Sequence, residues 1–263
     1  MGTPIRSLGK NSPLLRDLRQ RIRHRREGEI LLDGRRLLDD AIRWEIPIRE
    51  MYLSESRVAD LSSLPNIAEV RKFLLDDEVL KKLAPTRNSQ GLLAFVDEPQ
   101  FPVWAAEEGI GLYLERIQDP LNVGAIIRSA AALGARSVWL SPGCADPFGP
   151  RAVRASAATV FRVPIEVDVT LETAITRAGS AGCPIWATGA GGCLLDEWRP
   201  SSHLLLLLGS EGPGLSSQAL EISDGILGIR LEGGVESLNV AVATGVLLAR
   251  IRAILSGPKG EVG

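Results

Sequence analysis

Short apolar runs alternate with helical patterns along the chain, and the pattern changes near residue 97. Before that point, residues 30–32, 48–53, 68–73 and 91–96 read as strands. Residues 35–44 read as a helix with Leu37, Leu38, Ala41 and Ile42 on one face. Residues 76–83 read as a short helix and 61–64 as helix or loop. The sum is a small α/β unit of about 70 residues, an acceptable size for an independent domain. Residues 98–109 (EPQFPVWAAEEG) hold two prolines and no clean periodicity, and read as a linker.

From residue 110 the alternation strengthens. Strands are predicted at 111–114, 137–140, 161–163, 185–187, 203–208 and 226–231. Helices are predicted at 123–133, 151–158, near 171–178 and at 237–256. Apolar strands alternating with helices imply a mostly parallel sheet covered on both faces. The expected layout is a basic arm at 1–28, a small α/β domain at 29–97, a linker at 98–109 and a larger domain at 110–263.

Composition narrows the classes. Hydrophobic content of 45% and charged content of 24% are ordinary for a soluble globular protein. The five leucines at 204–208 are a buried strand rather than a membrane span. The N-terminus lacks the apolar core of a signal peptide. Cys144, Cys183 and Cys193 are odd in number and form no C-x-x-C pair, which argues for reduced thiols in a cytoplasm and no zinc site. Two histidines, His24 and His203, argue against histidine catalysis. Net charge is −2, yet residues 1–26 carry Arg6, Lys10, Arg16, Arg19, Arg21, Arg23, Arg25 and Arg26 against Asp17 alone. That arm is a candidate phosphate-binding surface, with Arg21, Arg23 and Arg25 as its RNA-contact candidates; a solvated helix is the plainer alternative.

Three stretches carry candidate chemistry. In residues 115–130 a strand runs through a polar loop into a helix, with Asn122 expected as its N-cap. Arg128 stands in a helix otherwise made of Ala, Ile and Leu, where a buried guanidinium needs an anionic partner and its fork suits phosphate. In residues 204–216 an apolar strand runs into Gly209, Gly212 and Gly214, with Glu211 at the sheet edge. This spacing is neither a dinucleotide fingerprint nor a P-loop. In residues 233–245 Ser237 is the expected N-cap of the last helix, with Asn239 in its first turn and a bare face of Ala241, Ala243 and Gly245 behind it.

D-P-x-N-V-G-A-I-x-R-x-A at 119–130, L-G-S-E-G-x-G-L at 208–215 and E-S-L-N-V-x-V-A at 236–243 together resemble the SpoU (TrmH) family of RNA 2′-O-ribose methyltransferases, in the SPOUT superfamily. The resemblance covers 110–256 and extends more loosely to a small N-terminal RNA-substrate-binding domain, with E-G-x-x-L-L-D-G at 27–34 and N-S-Q-G at 88–91. It implies a homodimeric α/β-knot methyltransferase domain with a trefoil knot and S-adenosylmethionine as cofactor. By motif position it implies that Gly209, Ile229 and Leu238 line the cofactor. Asn122, Arg128, Glu211, Ser237 and Asn239 would form the catalytic and RNA-binding cluster, and Arg154 would grip RNA phosphate. No metal is implied. Three departures stand out: Arg230 where proline is usual, Ala241 where serine is common, and Ala157 with Ala158 in place of a glycine-containing stretch.

The expected reaction is attack of a ribose 2′-hydroxyl on a sulfonium methyl group. An arginine is too weak an acid to serve readily as the base. Arg128 is therefore expected to hold phosphate and stabilise the developing alkoxide, while Glu211 or a water takes the proton. Ribosomal RNA is the favoured substrate and transfer RNA stays open. A non-catalytic RNA-binding protein on the same fold is the alternative class. A nucleotide-dependent oxidoreductase is disfavoured by the missing fingerprint.

Overall fold

In the computed structural model, which describes residues 3–256 apart from 66, 87, 88, 107, 196, 200 and 201, the chain divides into two units. The first comprises residues 1–100 and 147–161, the second 101–146 and 162–263.

The first unit is built from β1 (Ile5–Ser7), α1 (Pro13–Arg23), β2 (Glu29–Asp33), α2 (Arg35–Arg43), β3 (Ile48–Ser54), β4 (Arg71–Leu75), α3 (Asp77–Leu83) and β5 (Leu92–Asp97). Its sheet has the order β1-β4-β3-β5-β2. The pairings of β1 with β4 and of β4 with β3 are parallel, and β5 runs antiparallel to both its neighbours. At its centre Tyr52 stacks on Phe73 and meets Phe95 edge-on, and Leu15 and Leu18 of α1 pack into the same core. Burying each such leucine contributes about 1.5–3 kcal/mol. The segment expected as a basic arm is therefore largely a helix seated on this core. Its apolar positions fall at helical spacing and outweigh the charge between them.

The second unit begins with β6 (Gly109–Glu115), α4 (Pro120–Leu133) and β7 (Ser137–Leu140). Helix α5 (Pro150–Ala155) follows in the chain but packs on β2, within the first unit. The expected 110–263 domain is thus interrupted at 147–161. The second unit resumes with β8 (Ile165–Glu166), α6 (Leu171–Ser180), β9 (Ile185–Leu194), β10 (His203–Gly209), α7 (Ser217–Glu221), β11 (Gly225–Gly228) and α8 (Val240–Ser256). Its sheet has the order β11-β9-β10-β6-β7-β8, and every pairing is parallel. Leu204 to Leu208 are all buried, as a central parallel strand requires.

Four expectations at the element level are corrected. The strand expected at 161–163 is instead the end of a 3-10 turn (Thr159–Phe161) and an irregular bend, and the next strand begins only past Pro164, which has no N–H to donate. The last helix starts at Val240, three residues later than expected. The last strand ends at Gly228, not 231, while β9 extends to Leu194. β1 and α7 had no counterpart in the periodicity, being three and five residues long.

Register sets up the site. β10 pairs with β6 so that Gly209 lies opposite Glu115. The first two motifs therefore leave the sheet side by side, at the carboxyl ends of adjacent parallel strands, where open α/β sheets place ligands.

Candidate active site

Glu115 ties the two loops together. It is almost fully buried, and its Oε2 accepts from the Ser216 backbone N–H at 2.7 Å. Beyond Gly209 the chain folds into a tight turn closed by the Gly214 N–H donating to the Ser210 carbonyl at 3.0 Å. A Cβ at Gly209 would meet Gly214 and Leu215 backbone atoms at 2.3 Å, so that position must be glycine. The turn carries Glu211 outward at its tip.

Glu211 meets two amides there. Asn122 Nδ2 donates to Glu211 Oε1 at 2.6 Å, and Asn239 Nδ2 donates to the same oxygen at 2.8 Å. Asn239 Nδ2 also reaches Asn122 Oδ1 at 3.0 Å. Asn239 Oδ1 accepts from the N–H groups of Ala241 and Val242 at 3.0 and 3.3 Å. Asn239, not Ser237, is therefore the N-cap of α8; asparagine caps as well as serine, so this signal was present in the sequence. The cap fixes which way the Asn239 amide points, and so directs its donor at the carboxylate. Asn122 is not an N-cap either. Asp119 caps α4, accepting from Leu121 N–H at 2.9 Å ahead of Pro120, which leaves the Asn122 side chain for Glu211.

Two cavities flank this cluster and share Ser210 and Glu211. One, of about 510 Å³, is lined by Arg116, Gln118, Asp119 and Asn122 from the first motif. The other, of about 760 Å³, is lined by Gly209, Ile229, Ser237, Leu238 and Asn239 and closed by leucines of β10 and α8. Both volumes suit small ligands. All three expected cofactor residues line the larger cavity. Its walls offer apolar surface, backbone groups and the carboxylates of Glu211 and Glu236, with no cationic side chain among the lining residues. That lining fits a ligand with apolar surface and positive charge.

Arg128 does not join the cluster. It is exposed on α4 and lines neither cavity. It stands two turns after Leu121, on the face of α4 that points away from Asn122. The buried, anion-demanding guanidinium expected from the surrounding apolar residues is corrected: most apolar neighbours are buried and Arg128 is one of the helix's outward positions.

The basic residues separate into two kinds. Arg21 is buried and forms ion pairs with Glu29 at 3.0 Å and with Glu50, with its guanidinium 3.7 Å from the Phe95 ring centre. Burial alone would lower its pKa, but the Glu50 hydrogen bond and the charges of Glu50 and Glu29 raise it above its ordinary value. It is a core ion pair of the first unit rather than a free phosphate contact. Arg25 pairs with Glu98 at 2.8 Å and lies over Phe148. Arg23 is exposed. Arg154 is exposed and donates to Thr86 Oγ1 at 2.5 Å; Thr86 in turn donates to Asp33, which also accepts from Ser89 at 2.7 Å. Arg154 thus belongs to a polar cluster of the first unit. Among the described residues no group of three or more His, Cys, Asp or Glu side chains is placed to hold a metal ion, and Cys144, Cys183 and Cys193 are free thiols.

Residues 109–249 match the SpoU rRNA Methylase family, and residues 14–94 match the MRM3-like substrate binding domain. An uncharacterized tRNA/rRNA methyltransferase of Synechocystis is 33% identical over 250 residues, covering 90% of this chain and 89% of the relative. The 23S rRNA (uridine(2479)-2′-O)-methyltransferase of Streptomyces viridochromogenes is 30% identical over 257 residues, covering 91% and 88%. The crystal structure of an AdoMet-bound rRNA methyltransferase from Sinorhizobium meliloti superposes with a TM-score of 0.82 at 26% identity, covering 95% of this chain and 98% of that one.

Proposed function

The chain belongs to the SpoU rRNA methylase family, and from that premise we propose that it is an enzyme that methylates a ribose 2′-hydroxyl of ribosomal RNA, with S-adenosylmethionine as methyl donor. The observation that carries the reading is the Asn122–Glu211–Asn239 cluster on the wall shared by two cavities. The larger cavity takes the cofactor, with Gly209, Ile229 and Leu238 against it and Ser237 at its edge. When bound, S-adenosylmethionine supplies a methyl group already activated as a sulfonium.

The remaining work is orientation and proton removal. Glu211 Oε1 is pinned by the two amides, so the carboxylate cannot swing. Its Oε2 is left to accept the proton of the 2′-hydroxyl, directly or through a water. The amide cluster excludes alternative poses of the ribose. Arg154, Arg23 and the first unit hold flanking RNA by phosphate contact.

The rest of the reading is assembly and setting. Val242 and Val246 form an exposed apolar stripe one turn apart on α8, and Leu121 is exposed on α4, which packs on α8. A second copy of the chain covers this stripe, and Arg128, on the same face of α4 as Leu121, grips RNA phosphate from that interface. The segment from Gly225 onward is threaded as a trefoil knot. Support comes from the resemblance of residues 208–215 and 236–243 to the family's motifs. No described helix is long and apolar enough to cross a membrane, and we assign the enzyme to the cytoplasm with the ribosome.

The test is methyl transfer from labelled S-adenosylmethionine to unmodified 23S rRNA and tRNA transcripts, with Glu211→Ala as control. Label on rRNA ribose that the variant loses is the expected result. Label on tRNA alone overturns the substrate. No label in either pool, with RNA still bound and no cofactor binding, makes the chain an RNA-binding module.

A further inference from the structure

Arg116 is the positively charged residue of the first motif that the proposed chemistry leaves unused. Its backbone is left-handed, with φ at +53°. Glycine adopts this conformation freely, whereas a side chain makes it costly. The surroundings hold it there. The Arg116 N–H donates to Ser141 Oγ at 2.9 Å, and the preceding Glu115 is anchored to Ser216. Strain kept in place by rigid neighbours is typical of functional positions.

The strained backbone delivers a guanidinium to the smaller cavity. Arg116 lines it beside Asn122 and Glu211, and no other cation lines it among the described residues. The side chain is 53% exposed, and Glu115 Oε1 lies 4.0 Å from it, the outer limit for an ion pair. No aromatic ring lines the cavity, so it offers nothing on which a base could stack. A guanidinium fork suits a phosphate. Chemistry supplies the distance: the ribose carbon bearing the 2′-hydroxyl adjoins the carbon bearing the 3′-phosphate. A hydroxyl presented to Glu211 from one cavity leaves that phosphate for the other. Arg128 lines neither cavity, so the local cation within the chain is Arg116.

We propose that Arg116 is a substrate-binding residue that holds the 3′-phosphate of the target nucleotide in the cavity next to Glu211. The assignment rests on the methyltransferase reading above. Arg116→Gly removes the guanidinium and relieves the backbone; Arg116→Asn tolerates the left-handed conformation while removing the charge. Both variants are expected to melt no lower than wild type and to bind S-adenosylmethionine equally well by calorimetry. Both are expected to lose about 10- to 100-fold in affinity for an unmodified 23S rRNA transcript, with kcat/KM falling alongside. The slope of log affinity against log salt should become shallower by about 0.7, one phosphate contact to a single strand. A lowered melting temperature with unchanged RNA affinity overturns the proposal, as does weaker binding with an unchanged salt slope. A wild-type chain that transfers no methyl group overturns the function itself. An active wild type matched by an equally active Arg116→Gly overturns this assignment alone.

Discussion

The Asn239 amide donates to Glu211 at 2.8 Å while its oxygen caps the helix that starts one residue later. One side chain thus joins the stability of α8 to the geometry of the carboxylate, and two substitutions separate these roles. Asn239→Asp keeps an acceptor for the Ala241 and Val242 N–H groups but sets an anion against Glu211. It is expected to melt within a few degrees of wild type and to lose most methyl transfer. Asn239→Ala loses the cap too, at about 1 kcal/mol. Thermal melts and single-turnover methylation read both; full activity in Asn239→Asp would sink the carboxylate-pinning role.

Arg21 is expected to behave as a core residue. Arg21→Met leaves Glu29 and Glu50, among the described residues, with the more exposed Arg49 and Arg71 as ion-pair partners and the Tyr52 hydroxyl as a neutral donor to Glu50. The expected loss is about 3 kcal/mol in urea unfolding, and Glu50→Gln in the same chain should restore part of it. Arg23→Ala should do the reverse, leaving stability unchanged and weakening RNA binding. If Arg21→Met weakened RNA binding without destabilising the chain, the buried-pair account would fail.

The Ala157 departure has a backbone consequence. Ala157 sits just past the C-cap of α5 with φ at +51°, and Ala158 follows at +63°. Glycine is the usual residue where a helix ends in this conformation. Ala157→Gly is therefore expected to stabilise the chain by up to about 1 kcal/mol. Ala158 is fully buried, so its glycine variant gives up methyl burial and should gain less. Melting temperatures of the two variants decide the point, and a destabilised Ala157→Gly contradicts it.

Alkaline pH should weaken the second unit. Burial, aided by the charge of Asp224, pushes the Cys183 thiol from its ordinary 9.0 up to about 11. The unfolded thiol therefore ionises first as pH rises. Its contribution is intact below pH 9 and is lost between 9 and 11, by about 2–3 kcal/mol in total. Burial likewise pushes Tyr113 from 10.0 up to about 12, in an overlapping window. Cys183→Ala isolates the thiol: stability against pH should flatten between 9 and 11. An unchanged curve would assign the loss to other groups.

Legibility differed between the two kinds of site residue. Gly209 and Glu211 were singled out by the match of residues 208–215 to a family motif, since a glycine-rich turn alone is a weak signal, and the turn does carry the carboxylate outward. Asn122 and Asn239 were singled out, but local capping rules gave the wrong partner for Asn122 and the wrong cap for α8. Their amides meet across 117 residues of chain, a pairing that no local window contains. Arg116 left no signal in the periodicity, because its distinguishing feature is a backbone angle.

By itself the sequence determined most of the longer elements, their alternation and hence the parallel sheet of the second unit, because strand and helix patterning are local consequences of which face is buried. The motifs carried the family in the same way, as residues whose types and spacing survive in the linear chain. Tertiary structure decided what depends on register and on which groups are already engaged. The pairing of Gly209 with Glu115 set two loops side by side and made one wall serve two cavities. Burial against Glu29 and Glu50 turned Arg21 from a candidate RNA contact into part of the core. Charge can be counted along a chain, but whether it is neutralised depends on neighbours that only folding supplies.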